Sequence, residues 1–131
     1  MKNQSKRKSI TIGGLKLQIK ENPKKIESKH KKFFIHLVNR LVSIQERTDK
    51  IFTEYGLNLI MYEDLYFQVI EDMVYEHYDI EVGEVIFWYV HGAKLEDEDQ
   101  YIEDKKTGKR YKAKTPLQVY NVCKKLKLFK N

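Results

Sequence analysis

Cysteine is nearly absent from this chain of 131 residues: Cys123 stands alone. An internal disulfide is therefore excluded, and the usage fits a reducing compartment. Long apolar runs are missing too. The longest, Val85 to Val90, is far too short to cross a bilayer. The first residues are polar and basic, without the apolar stretch a signal peptide needs. A soluble protein of the cytoplasm is the expectation. Gly13-Gly14 lacks both the G-x-G-x-x-G and the P-loop context, and Glu96–Asp99 lacks EF-hand spacing. Acid is missing from the last segment: residues 105–131 hold ten Lys/Arg and no Asp or Glu.

That last absence belongs to a pattern in which charge is sorted by position. Residues 1–32 carry 11 Lys/Arg against two Glu, and residues 33–104 carry four Lys/Arg against 17 Asp/Glu. The formal net charge of +6 thus averages two basic ends and an acidic middle. At 41% hydrophobic and 12% aromatic the chain has the means for one core, and it is too short for two good ones. A basic flexible arm over 1–9 and a single globular domain over 10–131 follow.

Ile10, Ile12, Leu15, Leu17 and Ile19 alternate with polar residues around Gly13-Gly14. This reads as a tight hairpin or as one strand with a bulge. Asn22 and Pro23 then supply a helix cap and first position. Phe34, Leu37, Val38, Leu41, Ile44, Ile51, Phe52 and Tyr55 form one stripe at helical period. Gly56 ends it, with Leu57 placed to close over Phe52. A helix from Pro23 to Tyr55 would be roughly 48 Å long at 1.5 Å per residue, so its lysine-rich first turns should project beyond the core. A second helix over 59–78 would show a broad face of Leu65, Tyr66, Val69, Ile70, Met73, Val74 and His77. Residues 80–91 are β-prone in composition. Asp79 as cap, Glu81 and Glu84 in the first turn and Gly92 at the end favour a buried helix. Tyr101 to Ala113, with Gly108 at its turn, reads as a β-hairpin. Thr115-Pro116-Leu117-Gln118 opens a last helix with a capping box, and Leu117, Tyr120, Cys123 and Leu126 line its apolar side. The fold class is α+β: one long N-terminal helix packed with two or three shorter helices, and small β-hairpins near both ends.

No catalytic constellation is present. His30, His36, His77 and His91 are not paired with Cys or His at ligand spacing on one helical face, and read as surface or core histidines. Cys123 lies on an apolar stripe, where a catalytic thiol is not expected. Neither a metal nor a cofactor is expected. The crowd of aromatics from Tyr62 to Tyr89 reads as core, with hydroxyls at its rim.

The hairpin is different. Lys105, Lys106, Lys109, Arg110 and Lys112 fall within eight residues around a turn, with Tyr101 and Tyr111 among them. Basic residues interleaved with aromatics can hold a phosphate backbone and stack on bases. Lys6, Arg7, Lys8, Lys105, Lys106, Lys109, Arg110, Tyr111 and Lys112 are therefore the candidate binding residues, for nucleic acid or an acidic protein surface. A non-enzymatic accessory protein is the expected class. A protein-binding module, an inhibitor or adaptor using the acidic middle or the long helix, is the second. Lysine bias from an AT-rich genome, or basic ends folded back on the acidic middle, would produce the same charge pattern without a partner.

The tract Tyr62-Glu-Asp-Leu-Tyr-Phe to Glu84-Val-Ile-Phe-Trp-Tyr-Val90 and the hairpin before Thr115-Pro116-Leu117 resemble small uncharacterised proteins of tailed bacteriophages. The likeness covers about half the chain. It implies expression in a host bacterial cytoplasm and carries over no site residue.

Overall fold

The structure, a computed structural model, describes residues 9–18, 20–55, 59–92 and 101–129. The arm with Lys6, Arg7 and Lys8, the Gly56-Leu57 helix end and the Glu96–Asp99 loop lie outside the described residues.

Strands β1 (Ser9–Ile12) and β2 (Leu15–Gln18) pair antiparallel, with Ile12 opposite Leu15 and Ser9 opposite Gln18. Gly13 and Gly14 adopt φ of +55° and +80°. Two successive positive φ values make a two-residue hairpin turn, so this is a hairpin and not a bulged strand. Helix α1 (Pro23–Tyr55) runs for 33 residues. Asn22 Oδ1 accepts from Lys24 N at 2.9 Å and caps it. Phe34, Leu37, Val38 and Leu41 of its stripe are buried.

The first turns of α1 do not project freely. His30 is only 4% exposed, Lys29 Nζ meets Glu21 Oε1 at 2.5 Å, and Glu27 pairs with Lys124 from the far end of the chain. The last helix packs against this end of α1 and covers it. Exposure appears instead toward the other end, where Ile51 is 40% exposed.

Helices α2 (Leu59–His77) and α3 (Ile80–Gly92) follow. The Asp79 cap settles the ambiguous segment: Val82 N donates to Asp79 Oδ1 at 3.0 Å. An N-terminal cap satisfies amides that a strand would have to pair elsewhere. The apolar stretch of α3 suits a helix flanked by α1, α2 and the last helix, and Val82, Ile86, Tyr89 and Val90 are all buried. The buried seam of α2 is narrower than its sequence suggests. Tyr66, Ile70 and Val74 lie inside and Tyr78 continues the line, while Leu65 is 61% exposed and Val69 also faces solvent.

Strands β3 (Tyr101–Glu103) and β4 (Arg110–Lys112) pair antiparallel, with Ile102 opposite Tyr111. Helix α4 (Pro116–Lys125) begins as expected, with Gln118 N donating to Thr115 Oγ1 at 3.2 Å. The side chain of Gln118 reaches back one residue further than a standard capping box, accepting from Lys114 N at 2.6 Å. Its buried face is also rotated from the expected one. Val119, Tyr120, Val122 and Cys123 are inside and Leu117 is exposed. Ahead of α4, the Tyr89 hydroxyl of α3 donates to Lys114 O at 3.2 Å.

The result is an α+β fold, mostly helical: among the described residues there are one long helix, three shorter ones and two two-stranded sheets. Phe34, Leu41, Ile70, Ile86 and Val119 sit in one core to which all four helices contribute. No helix among the described residues is long and apolar enough to cross a membrane.

Candidate functional site

One lysine of the second hairpin, Lys109, meets a lysine from the end of α4, Lys125, over the Tyr111 ring. Asp104 builds the turn that presents the hairpin lysines. Its Oδ1 accepts from Lys106 N at 3.0 Å, its Oδ2 accepts from Thr107 Oγ1 at 2.9 Å, and its carbonyl accepts from Gly108 N at 2.7 Å. An aspartate that satisfies turn amides is an ordinary turn builder. Here it keeps Lys105, Lys106 and Lys109 out in solvent. Gly108 completes the reversal at φ +72°.

Two tyrosines organise the cations. Lys109 Nζ lies 5.4 Å from the Tyr111 ring centroid and Lys125 Nζ lies 4.9 Å from it. Arg110 sits 4.4 Å from the Tyr101 centroid and also meets Glu103 Oε1 at 3.5 Å. Cation–π contacts of this kind are worth about 0.5–1 kcal/mol at exposed sites. That is enough to bias lysine rotamers and too little to hide their charge. Arg110 and Lys124 have carboxylate partners; Lys105, Lys106, Lys109, Lys112 and Lys125 pair with no carboxylate among the described residues. Of the sequence-derived set, Lys109 and Tyr111 come together with Lys125, whereas Arg110 and Lys112 alternate with Tyr111 along β4 and lie on the other face of the hairpin, Arg110 over Tyr101. Lys125 was missed, because its place beside Tyr111 depends on how α4 packs against the hairpin.

Tyr111 is half-buried and already engaged by two ammonium groups. Its ring is less available to a nucleic-acid base than an unoccupied one. The basic surface therefore favours phosphate contact over stacking.

Two clefts lie among the described residues. One, of about 440 Å³, is bordered by Trp88, Val85, Tyr101 and Ile102, with Glu84, Glu103 and Lys105 at its rim. Trp88 is 45% exposed and Tyr75 is exposed too, so two members of the aromatic crowd are not core. The other, of about 660 Å³, lies between the start of α1 and the end of α4 and includes His30.

Cys123 is fully buried, and burial together with the nearby Asp79 charge pushes its thiol up to about 12. Such a thiol is inert near neutrality. No group of three His, Cys, Asp or Glu able to hold a metal occurs among the described residues. Comparison with protein-family models, curated proteins and solved structures gives no match.

Proposed function

We propose that this protein is a non-enzymatic accessory factor that binds nucleic acid through the surface formed by the β3–β4 turn and the end of α4. The observation that carries the reading is the shared position of Lys109 and Lys125 over Tyr111, with further hairpin lysines without carboxylate partners among the described residues. A surface of this kind neutralises phosphates without reading sequence.

Fluorescence anisotropy with duplex and single-stranded probes tests it. Binding should weaken steeply with salt, with a log–log slope of about 0.9 per neutralised phosphate on duplex DNA. Lys109→Ala with Lys125→Ala should weaken binding to all sequences alike and flatten that slope. A flat titration with both probes at ~150 mM salt, where long-range attraction is screened, would remove the reading.

The Trp88 cleft favours a second one. A half-exposed tryptophan beside Tyr101 and Ile102, rimmed by Glu84 and Glu103, has the make-up of an interface anchor. It lies in the acidic middle of the chain and would suit an apolar segment flanked by basic residues. A protein captured from a lysate by the parent chain, resistant to nuclease and lost with Trp88→Ala, would support this reading over the first.

A further inference from the structure

The cleft between the start of α1 and the end of α4 combines features that a passive crevice does not need. His30, 4% exposed, borders it with its ring, while its Nε2 faces the Gly13 turn and has no hydrogen-bond partner among the described residues. Phe129 and Ile26 give the cleft apolar surface, while Lys124 and Lys127 place two ammonium groups on it.

Lys127 stands in a costly place. Its φ is +55°, the only positive value among the described non-glycine residues. Lys127 N donates to Lys124 O and Leu128 N to Cys123 O, the pair of bonds that closes a helix in the left-handed conformation usually given to glycine. A lysine here accepts backbone strain where glycine would accept none. What it adds is a cation on the cleft.

Lys124 is already occupied by a carboxylate, that of Glu27, which also borders the cleft. The Glu27 carboxylate shows that an anionic oxygen fits against Lys124.

We propose that this cleft binds a small organic anion: a carboxylate or phosphate group attached to a flat apolar body. The anionic group lies between Lys124 and Lys127, in the place Glu27 now takes. The apolar body lies against Phe129 and Ile26, with the His30 ring forming the inner wall. The cleft is separate from the Lys109–Tyr111–Lys125 surface, and the proposal does not depend on nucleic-acid binding.

The test follows the imidazole of His30 by NMR while phenyl phosphate is added to the full chain. Inorganic phosphate and benzylammonium serve as probes of charge alone and of an aryl cation. A saturable shift of the His30 signal with phenyl phosphate is expected, weaker with inorganic phosphate and absent with benzylammonium. Lys127→Gly should lower the affinity at least fivefold. Because glycine relieves the backbone, that variant folds at least as well as the parent. Glu27→Gln should raise the affinity severalfold by freeing Lys124. No saturable His30 shift at millimolar phenyl phosphate overturns the proposal. So does an equal response to benzylammonium, or a Lys127→Gly variant with parental affinity.

Discussion

The His30 imidazole meets the Phe129 ring edge-on, with centroids 4.7 Å apart and planes at 80°. Tyr78 and Tyr120 close the other sides, at 6.0 and 5.7 Å. Rings of this kind offer no counter-charge, so burial lowers the His30 pKa from 6.5 to about 4. A residue that sequence reading left as an ordinary histidine therefore holds together α1, the end of α2 and the chain's last described residues.

The consequence is a pH dependence with a definite sign. His30 is protonated more readily in the unfolded chain, near pH 6.5, than in the folded one, near pH 4. Its contribution is constant above pH 6.5, declines as pH falls from 6.5 to 4, and levels off below. The full loss is on the order of 3 kcal/mol. Tyr78 and Tyr120 remain neutral throughout, since burial raises both. Urea denaturation at pH 7 and pH 4.5 should show a smaller difference for His30→Phe than for the parent. An identical difference in both would refute the assignment.

Gly13 and Gly108 both adopt positive φ, +55° and +72°, yet they should respond differently to substitution. A Cβ on Gly108 meets nothing within 4 Å. Gly108→Ala should therefore cost only the left-handed backbone penalty, about 1 kcal/mol. A Cβ on Gly13 would meet the Tyr78 ring and, at 2.6 Å, His30 Nε2. Both rings are buried and locked by neighbours. Gly13→Ala should cost the same backbone penalty plus their displacement, and so at least ~1–3 kcal/mol more. Equal thermal midpoints for the two variants would show that the first hairpin does not bear on His30.

Removing residues 105–131 should unfold the chain, because α4 is part of the core and not an appendage. Val119 and Cys123 are fully buried and Tyr120 nearly so, and the Tyr120 ring lies 5.4 Å from that of Phe34. Each buried side chain lost leaves apolar surface open at about 2–5 kcal/mol, against a typical total stability of about 5–15 kcal/mol. Far-ultraviolet circular dichroism of a 1–104 fragment should lack the cooperative transition of the parent. A fragment that melts cooperatively would overturn this view.

What the sequence made legible was local chemistry. The caps at Asn22, Asp79 and Thr115, and the turn at Gly13-Gly14, rest on residues within a few positions of each other, and all are found. Periodicity placed the helices but overstated their buried faces. Leu65, Val69 and Leu117 fit the pattern and are exposed, because a helical stripe says which residues share a side and not how wide the partner is. The basic site was half legible. Lys109 and Tyr111 are near neighbours in the sequence, whereas Lys125 reaches Tyr111 only through tertiary packing. His30 was illegible for the same reason: its cage is assembled from α1, the end of α2, α4 and the last residues.

The two ends of α4 should respond to single substitutions with opposite signs. At its start, Thr115 Oγ1 accepts from Gln118 N. Thr115→Ala removes that acceptor and should destabilise by ~1 kcal/mol. At its finish, Lys127 holds φ +55° in the position where the helix closes. Lys127→Gly keeps both closing bonds, since each uses a backbone amide, and removes the clash between Cβ and the backbone. The gain should be about 1 kcal/mol, reduced by the greater freedom of glycine in the unfolded chain. Lys127 has no carboxylate partner among the described residues, so little is lost with its side chain. In a chain of this size, 1 kcal/mol moves the thermal midpoint by roughly 3–5 °C. The parent should melt between the two variants. A Lys127→Gly variant that melts below the parent would mean that the lysine side chain stabilises the fold, and that its left-handed backbone is held for structural reasons alone.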